Sequence, residues 1–489
     1  MSNGERFAGV LVASRETIFQ SLPPLKKPLE ILLAFTIGWL IWNIPPSSGL
    51  NTNSVHFLAT LLTAVVLWIS CTFDEYVVAL MLLLSWVVLE IAPANVALDG
   101  FSHESWFFVV AALGMGAAVN KSGLLRRLSL QILRRIPITA HKSHTFLLYA
   151  SGVLITPLLP TGKARALIAL PISQAIAQAT GFENRSNGSA ALALSAMLGF
   201  SHMSFMFLTG AETCLLGWNL LPEWAKSEFG WFWWLIAALP AGIFIFLFVL
   251  CAIHFIFPLP QRHRLDTESR ASAFAVEDLG PLSRAEWIAI VVLLSTVAGW
   301  LTVPLHGIHE TWVALFGLLA FLSSGVLDKK TFKNEVDWGL VLFFGIVNSM
   351  AIICRYLKVD RWLVSIIEPI LGTVAFGPFT FLTAVIIIVF FARFFLRKAA
   401  AALILPLLIM PYGQEIGIHP GVVLLTILAA GECFLLAYQD GPYQIAYSST
   451  NGHAFTHRQA RKILAVKFVA TILGVAISVP YWKMLGLIQ

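Results

Sequence analysis

Twelve residues, Pro160-Thr161-Gly162-Lys163-Ala164-Arg165-Ala166-Leu167-Ile168-Ala169-Leu170-Pro171, are echoed 235 positions later by Phe395-Leu396-Arg397-Lys398-Ala399-Ala400-Ala401-Ala402-Leu403-Ile404-Leu405-Pro406, with five identities. Each copy leaves one apolar run, passes a lysine and enters another apolar run. A lysine at bilayer depth costs roughly 2.5–3.5 kcal/mol on insertion scales. A chain that sets two of them at equivalent points of a repeat therefore points to a negatively charged partner for both. The same offset lays Gly123-Leu124-Leu125-Arg126-Arg127-Leu128 on Lys358-Val359-Asp360-Arg361-Trp362-Leu363. The repeat thus takes in a span, an amphipathic connector and an interrupted helix pair.

Composition places that repeat in a membrane. Apolar residues make up 58% of the 489 positions and charged residues 12%, against about 25% charged in a soluble domain. The net charge of +6 does not indicate nucleic acid, because the basic residues fall in short loops between apolar runs. The five cysteines, Cys71, Cys214, Cys251, Cys354 and Cys433, show no CxxC spacing, which points to neither a disulfide nor a metal site. The first residues show no cleavable signal pattern. The sequence holds no Ser/His/Asp arrangement, no HExxH and no Gly-rich phosphate loop, so no enzymatic activity and no cofactor is expected.

Two apolar stretches, 145–180 and 363–417, are too long for one helix and are interrupted, the first at Pro157-Leu158-Leu159-Pro160-Thr161-Gly162 and the second around Arg397-Lys398. Each break lies between short apolar arms, the pattern of a hairpin that enters and leaves on one side. Basic residues orient the chain: Arg6, Arg15, Lys26 and Lys27 before the first span, Lys121 to Lys142, Arg262 to Arg284, Lys329 to Lys333, and Arg458 to Lys462. Loops 47–54 and 93–104 carry none. By the positive-inside bias the N-terminus and the basic loops face the cytoplasm, and the two copies of the repeat run in opposite directions. Inverted repeats with broken helices meeting near the midplane suit secondary carriers. The expectation is an all-α integral membrane protein of about eleven spans, with two inverted repeats that each hold a re-entrant hairpin and a broken helix. Its parts are an N-terminal peripheral pair (1–70), a first repeat (71–258, hairpin 145–180), a cytoplasmic linker (259–285) and a second repeat (286–489, hairpin 363–417). The expected location is the bacterial inner (plasma) membrane.

This order of parts, over roughly residues 55–489, resembles the divalent anion:sodium symporter family. The closing stretch from Ala454-Phe455-Thr456-His457-Arg458 to Gly474 is similar to that family's last connector and span. The resemblance implies a carrier of dicarboxylates or sulfate whose hairpin tips, each Ser-Asn-Thr with a proline ten residues after the Ser, bind sodium and substrate carboxylate. Counting back ten from Pro171 and from Pro406 gives Thr161-Gly162-Lys163 and Leu396-Arg397-Lys398, so both tip motifs are replaced. The family's turn in each broken helix is matched loosely by Gly210-Ala211-Glu212-Thr213-Cys214 and by Gln439-Asp440-Gly441-Pro442-Tyr443.

An ammonium offers three donors and no acceptor, so it cannot ligate sodium but can replace its charge. Helix N-termini add partial positive charge and free N–H groups for an oxyanion. The expected substrate site is Thr161, Gly162, Lys163, Arg397, Lys398, Ala399, Gly441 and Pro442, with Glu212 and Asp440 as coupling groups and no metal. The reading is a secondary transporter of small divalent anions (dicarboxylate, sulfate or sulfonate), independent of sodium and working by exchange or proton coupling. The alternatives are a sodium-coupled symporter and an anion channel. Its partners are a small anionic substrate and the lipid bilayer, with a homodimer allowed and no nucleic acid. Other readings compete at single residues: the lysines snorkel to an interface, Glu212 and Asp440 merely cap helix breaks, and of Arg165 and Arg397 one faces the site while the other faces a headgroup. His202 reads as a hydrogen-bonded core histidine rather than a proton relay, and Trp231-Phe232-Trp233-Trp234 as an interfacial belt.

Overall fold

In lipid the backbone must satisfy its own polar groups, in helices or in closed barrels; continuous apolar runs of about 20 residues suit the helix, and helices dominate the result. The computed structural model describes residues 26–46, 49–70, 72–124, 127–128, 131, 141–258, 280–371 and 377–489. Among these there is no strand beyond a single bridge between Ile418 and Ile488. The basic residues Arg6, Arg15, Arg126, Arg134, Arg135, Arg262, Arg264 and Arg270, and most of the linker 259–285, lie outside the described residues.

The chain divides into two compact units, Met1–Ala94 and Asn95–Gln489. The first holds α1 (Lys26–Trp42), α2 (Thr52–Ser70) and α3 (Glu75–Val88). Helix α1 packs on α2, and α2 on α3. Gly38 makes the first contact close, since a Cβ there would stand 2.0 Å from Thr63 Oγ1. Trp42 stacks on His56 at 3.5 Å. The unit takes in α3 as well as the two helices of the expected peripheral pair.

The second unit repeats one order of elements. The first pass is α4 (Glu104–Ser122), the pair α5 (His141–Ile155) and α6 (Gly162–Ala179), the broken pair α7 (Asn187–Ser201) and α8 (Glu212–Asn219), and the long α9 (Trp231–Ile256). Helices α10 (Arg284–Leu301) and α11 (Glu310–Ser323) follow. The second pass is α12 (Trp338–Tyr356), the amphipathic connector α13 (Val359–Leu371), the pair α14 (Pro378–Ala392) and α15 (Lys398–Glu415), the broken pair α16 (Pro420–Gly431) and α17 (Gly441–Ser449), and the long α18 (His457–Met484). Six described helices, α2, α7 with its continuation to Met206, α9, α10, α12 and α18, are long and apolar enough to cross a membrane.

Burial sorts these helices by role. Helix α10 leaves Trp287, Val291, Leu294 and Leu301 exposed, and α11 leaves Trp312, Phe316 and Leu319; such apolar faces suit lipid. Helix α7 instead buries every residue from Gly188 to Ser201, and α16 buries every residue from Pro420 to Gly431. A helix that is apolar all round belongs in an interior. Small residues let α5 press against α7: a Cβ on Gly152 would lie 2.4 Å from the Gly199 carbonyl carbon, and one on Gly199 2.3 Å from Tyr149 O. This is the close small-residue packing of membrane helices. The long α9 and α18 lie together, and Trp482 Nε1 donates to Ala237 O at 2.8 Å.

The first interruption forms at Pro157 and Pro160. After α5 a 3-10 turn at Thr156–Leu158 gives way to extended backbone at Leu159 and Thr161, and α6 starts at Gly162. Helix α7 is capped by Ser186 and ends at His202. Two 3-10 turns, Ser204–Met206 and Leu208–Gly210, then lead to α8. The tryptophan cluster departs from the expected belt. Trp231 and Trp234 are buried, donating to Thr209 Oγ1 at 3.1 Å and Phe205 O at 2.9 Å, and only Trp233 of the three indoles is exposed. The unwound segment after α7 offers free carbonyl and hydroxyl oxygens, and indole N–H groups satisfy them.

Candidate functional site

The first tip is tied to its own broken helix. Arg165, fully buried on the first turn of α6, donates to the carbonyls of Leu159 and Phe200, to Thr156 O at 3.3 Å and to Ser204 Oγ at 3.1 Å. Glu212 N donates to Pro160 O at 3.1 Å, and Ser201 Oγ to Gly162 O at 2.9 Å. The ambiguity over Arg165 is thereby resolved: its planar fork joins tip to break and faces no headgroup.

The second tip uses a different arginine for the same task. Arg393, 1% exposed at the end of α14, donates to Leu396 O at 3.0 Å and to the Gln439 carbonyl. Gln439 Nε2 returns a bond to Arg393 O at 3.0 Å. Nothing in the repeat pointed to Arg393, which stands in Phe391-Ala392-Arg393-Phe394-Phe395. The available signal was its position inside an apolar segment, where an ionisable residue is a functional candidate by default.

The two passes then cross. Helix α6 packs against α17, and α15 against α8. A Cβ on Gly162 would sit 3.5 Å from Pro442 Cγ, and a Cβ on Gly441 only 2.8 Å from Lys163 Cε. Thr213 of α8 and Lys398 of α15 line one small cavity with Val389, Ala401, Ile427 and Gly431. The N-termini of α6, α8, α15 and α17 thus gather in one place, and each brings partial positive charge. Thr161, Gly162, Lys163, Gly441 and Pro442 stand together at the α6–α17 crossing, while Lys398 and half-buried Ala399 stand at the α8–α15 crossing. Arg397 precedes α15 as its N-cap and is exposed.

The two lysines differ in surroundings. Lys163 is exposed, its stem lying over Gly441. Lys398, with a side chain 21% exposed, donates to Glu432 Oε1 at 2.9 Å. Glu432 closes α16 and is buried, and its Oε2 has no hydrogen-bond partner among the described residues. Lys467 of α18, 1% exposed, donates to Glu432 O at 2.9 Å. The expected coupling groups Asp440 and Glu212 stand at the starts of α17 and α8. Asp440 caps α17 by accepting from Tyr443 N at 2.8 Å and lies 3.1 Å from His202 Nε2. Glu212 opens α8 and is half-buried. Sequence reasoning missed Glu432 and Lys467, although each is a lone charge in an apolar run, Ala430-Gly431-Glu432-Cys433 and Ala465-Val466-Lys467-Phe468. Among the described residues, buried Arg165, Arg393 and Lys467 and partly buried Lys398 thus stand with the buried carboxylates Glu432 and Asp440 and half-buried Glu212. Among the described residues no group of three or more His, Cys, Asp or Glu side chains could hold a metal ion.

Comparison with known proteins agrees with this architecture. The sequence profile described as the sodium:sulfate symporter transmembrane region matches residues 25–488. A putative malate transporter of Bacillus subtilis, YflS, is 24% identical over 344 residues, covering 69% of this chain and 71% of that protein. The chloroplastic dicarboxylate transporter 1 of Arabidopsis thaliana is 26% identical over 332 residues, covering 66% of this chain and 59% of that protein. Among solved structures, Neisseria gonorrhoeae MtrF, described within a class of antimetabolite efflux pumps, is similar with a TM-score of 0.57 at 15% identity, over 91% of this chain and 97% of that one; this likeness bears on the fold alone. With the profile running through nearly the whole length, the chain belongs to the sodium:sulfate symporter family, the divalent anion:sodium symporters, and is an integral membrane transporter.

Proposed function

We propose that this protein is a secondary carrier of small divalent anions that works without sodium. The observation that carries the reading is the excess of positive charge where four helix N-termini gather: Arg165, Arg393, Lys467 and partly buried Lys398 against Glu432, Asp440 and half-buried Glu212. Buried charge needs compensation, and a dianion supplies it. A C4-dicarboxylate, sulfate or a sulfonated carboxylate fits, and two of the relatives are named for malate and dicarboxylate. Lys398 and Lys163 are the proposed substrate contacts, with the free N–H groups of Gly162, Ala399 and Gly441 as further donors and Thr161, Arg397 and Pro442 shaping the rim.

A sodium ion does not fit these tips. It needs several oxygens closing on one point. Here the tip and break carbonyls of Leu159, Phe200, Leu396 and Gln439 accept from guanidinium groups, and lysines take the expected tip positions. The built-in cations stay with the protein, so the empty carrier must balance them by itself. Glu432 on Lys398 is one internal answer; a bound anion on both sides of the membrane, giving exchange, is the other.

The test is uptake into proteoliposomes of labelled succinate, malate and sulfate, with external sodium or choline, and with or without internal anion. Saturable counterflow that is unchanged by choline is expected. Loss of uptake in choline overturns sodium independence, and conductance without counterflow overturns the carrier.

A further inference from the structure

We infer that His202 is a proton-binding site that couples transport to protons, an assignment that rests on the carrier reading above. His202 is fully buried at the end of α7, and both ring nitrogens face acceptors. Nδ1 lies 3.2 Å from Met197 O and Nε2 3.1 Å from Asp440 Oδ1. A carbonyl has no proton to give. Oδ1 is engaged as an acceptor from Tyr443 N at 2.8 Å, and Oδ2 has no partner among the described residues. A neutral imidazole has one N–H and one lone pair, so it satisfies only one of its two neighbours and turns a lone pair on the other. The imidazolium satisfies both. The ring therefore donates to Met197 O and Asp440 Oδ1 at once only with one extra proton on it.

That contact joins the break of the first broken helix to the cap of the second half of the other. Its surroundings set the charge balance. Asp440, the N-cap of α17, and Tyr443 on that helix lie on one side, and Glu432 is the C-cap of α16. Arg165 from α6 is bound to Phe200 O and Ser204 Oγ, on either side of His202 in the chain. The other elements packed against α7 bring His144 and Tyr149 (α5), His254 (α9) and Lys467 (α18). The Phe434 ring, 5.3 Å away by centroid, closes the remaining side. In the proposed cycle neutral His202 takes one proton on Nε2 from the side where the site is open. It keeps that proton while the two breaks are joined, and gives it up on the other side, one proton for each passage.

The experiment uses the full-length protein in proteoliposomes, with membrane potential clamped and a trapped pH dye. The probe is whichever of succinate, malate and sulfate gives counterflow. With one proton per passage, the accumulation ratio should rise about tenfold for each unit of inwardly directed pH gradient, and the lumen should acidify with uptake. His202→Gln, which keeps an amide donor toward Asp440 but cannot titrate, should retain counterflow while losing both the gradient dependence and the dye signal. If glutamine impairs folding, Asp440→Asn serves instead, because its amide oxygen still caps Tyr443 N while the proton's counter-charge is gone; it should lose the same two signals. Gradient-driven accumulation in either variant overturns the assignment. Counterflow by the unaltered protein without proton movement overturns it while leaving the anion carrier standing. Absence of counterflow with every anion overturns both.

Discussion

At the scale of single residues, the site depends on who satisfies whom. Lys398 pairs with Glu432, and Lys163 lies over Gly441 with no carboxylate partner among the described residues, so in the proposed site a substrate would compete with Glu432 for the first lysine and meet the second unopposed. Lys398→Gln and Lys163→Gln should each remove a charge-assisted contact of about 1.5–3 kcal/mol, roughly ten- to a hundredfold in affinity, read from the concentration dependence of uptake. Normal affinity in both variants would place the site elsewhere. Arg393 holds the carbonyls of Leu396 and Gln439. Arg393→Ala should lower thermal stability in detergent, each orphaned buried carbonyl costing about 1–3 kcal/mol. Arg393→Lys should recover only part of the loss, because a point charge does not replace a planar fork. Full recovery with lysine would mean that charge alone suffices at this position.

At the scale of elements, two glycines that look alike in sequence do different jobs. A Cβ on Gly199 meets the backbone of α5 at Tyr149 O, 2.3 Å away, whereas one on Gly441 meets the flexible end of Lys163 at 2.8 Å. Gly199→Ala must push α5 from α7 and should cost about 1–3 kcal/mol of stability through overpacking. Gly441→Ala should leave the melting temperature nearly unchanged and alter substrate affinity, because only the lysine has to move. Equal melting temperatures for the two variants would contradict the packing described. The first break was legible because Pro157 and Pro160 interrupt a helix, and both were marked by Lys163 and Lys398, which sit where an apolar run should have none. The second hairpin is shorter than its apolar stretch: α13 is a separate connector, and α14 begins only at Pro378. Hydropathy does not separate an amphipathic helix from a hairpin arm when one runs into the other.

At the scale of the whole molecule, the proposed carrier cycle asks how the unloaded protein moves with cations inside it. Glu432 lies against Lys398, so Glu432→Gln should slow net uptake more than counterflow: in exchange the substrate always balances the lysine, and in net transport only an internal carboxylate can. Glu212→Gln tests the same idea at the mouth of α8. Equal losses in net uptake and counterflow would assign these carboxylates to shaping the site instead.

The sequence by itself determined that the chain is helical and membrane-embedded, and that its second half echoes its first around two lysine-bearing breaks. Those properties are local: hydrophobic period, proline, glycine and charge act on their own segments. The partners of the charges were not local. Arg393 with Gln439, Lys398 with Glu432, His202 with Asp440 and Lys163 beside Gly441 are separated by 34 to 278 positions. In an apolar interior a charge is stabilised by whatever opposite charge or carbonyl the packing brings within about 3 Å. Which one that is depends on how α6 crosses α17 and α15 crosses α8, and only the tertiary structure decides it.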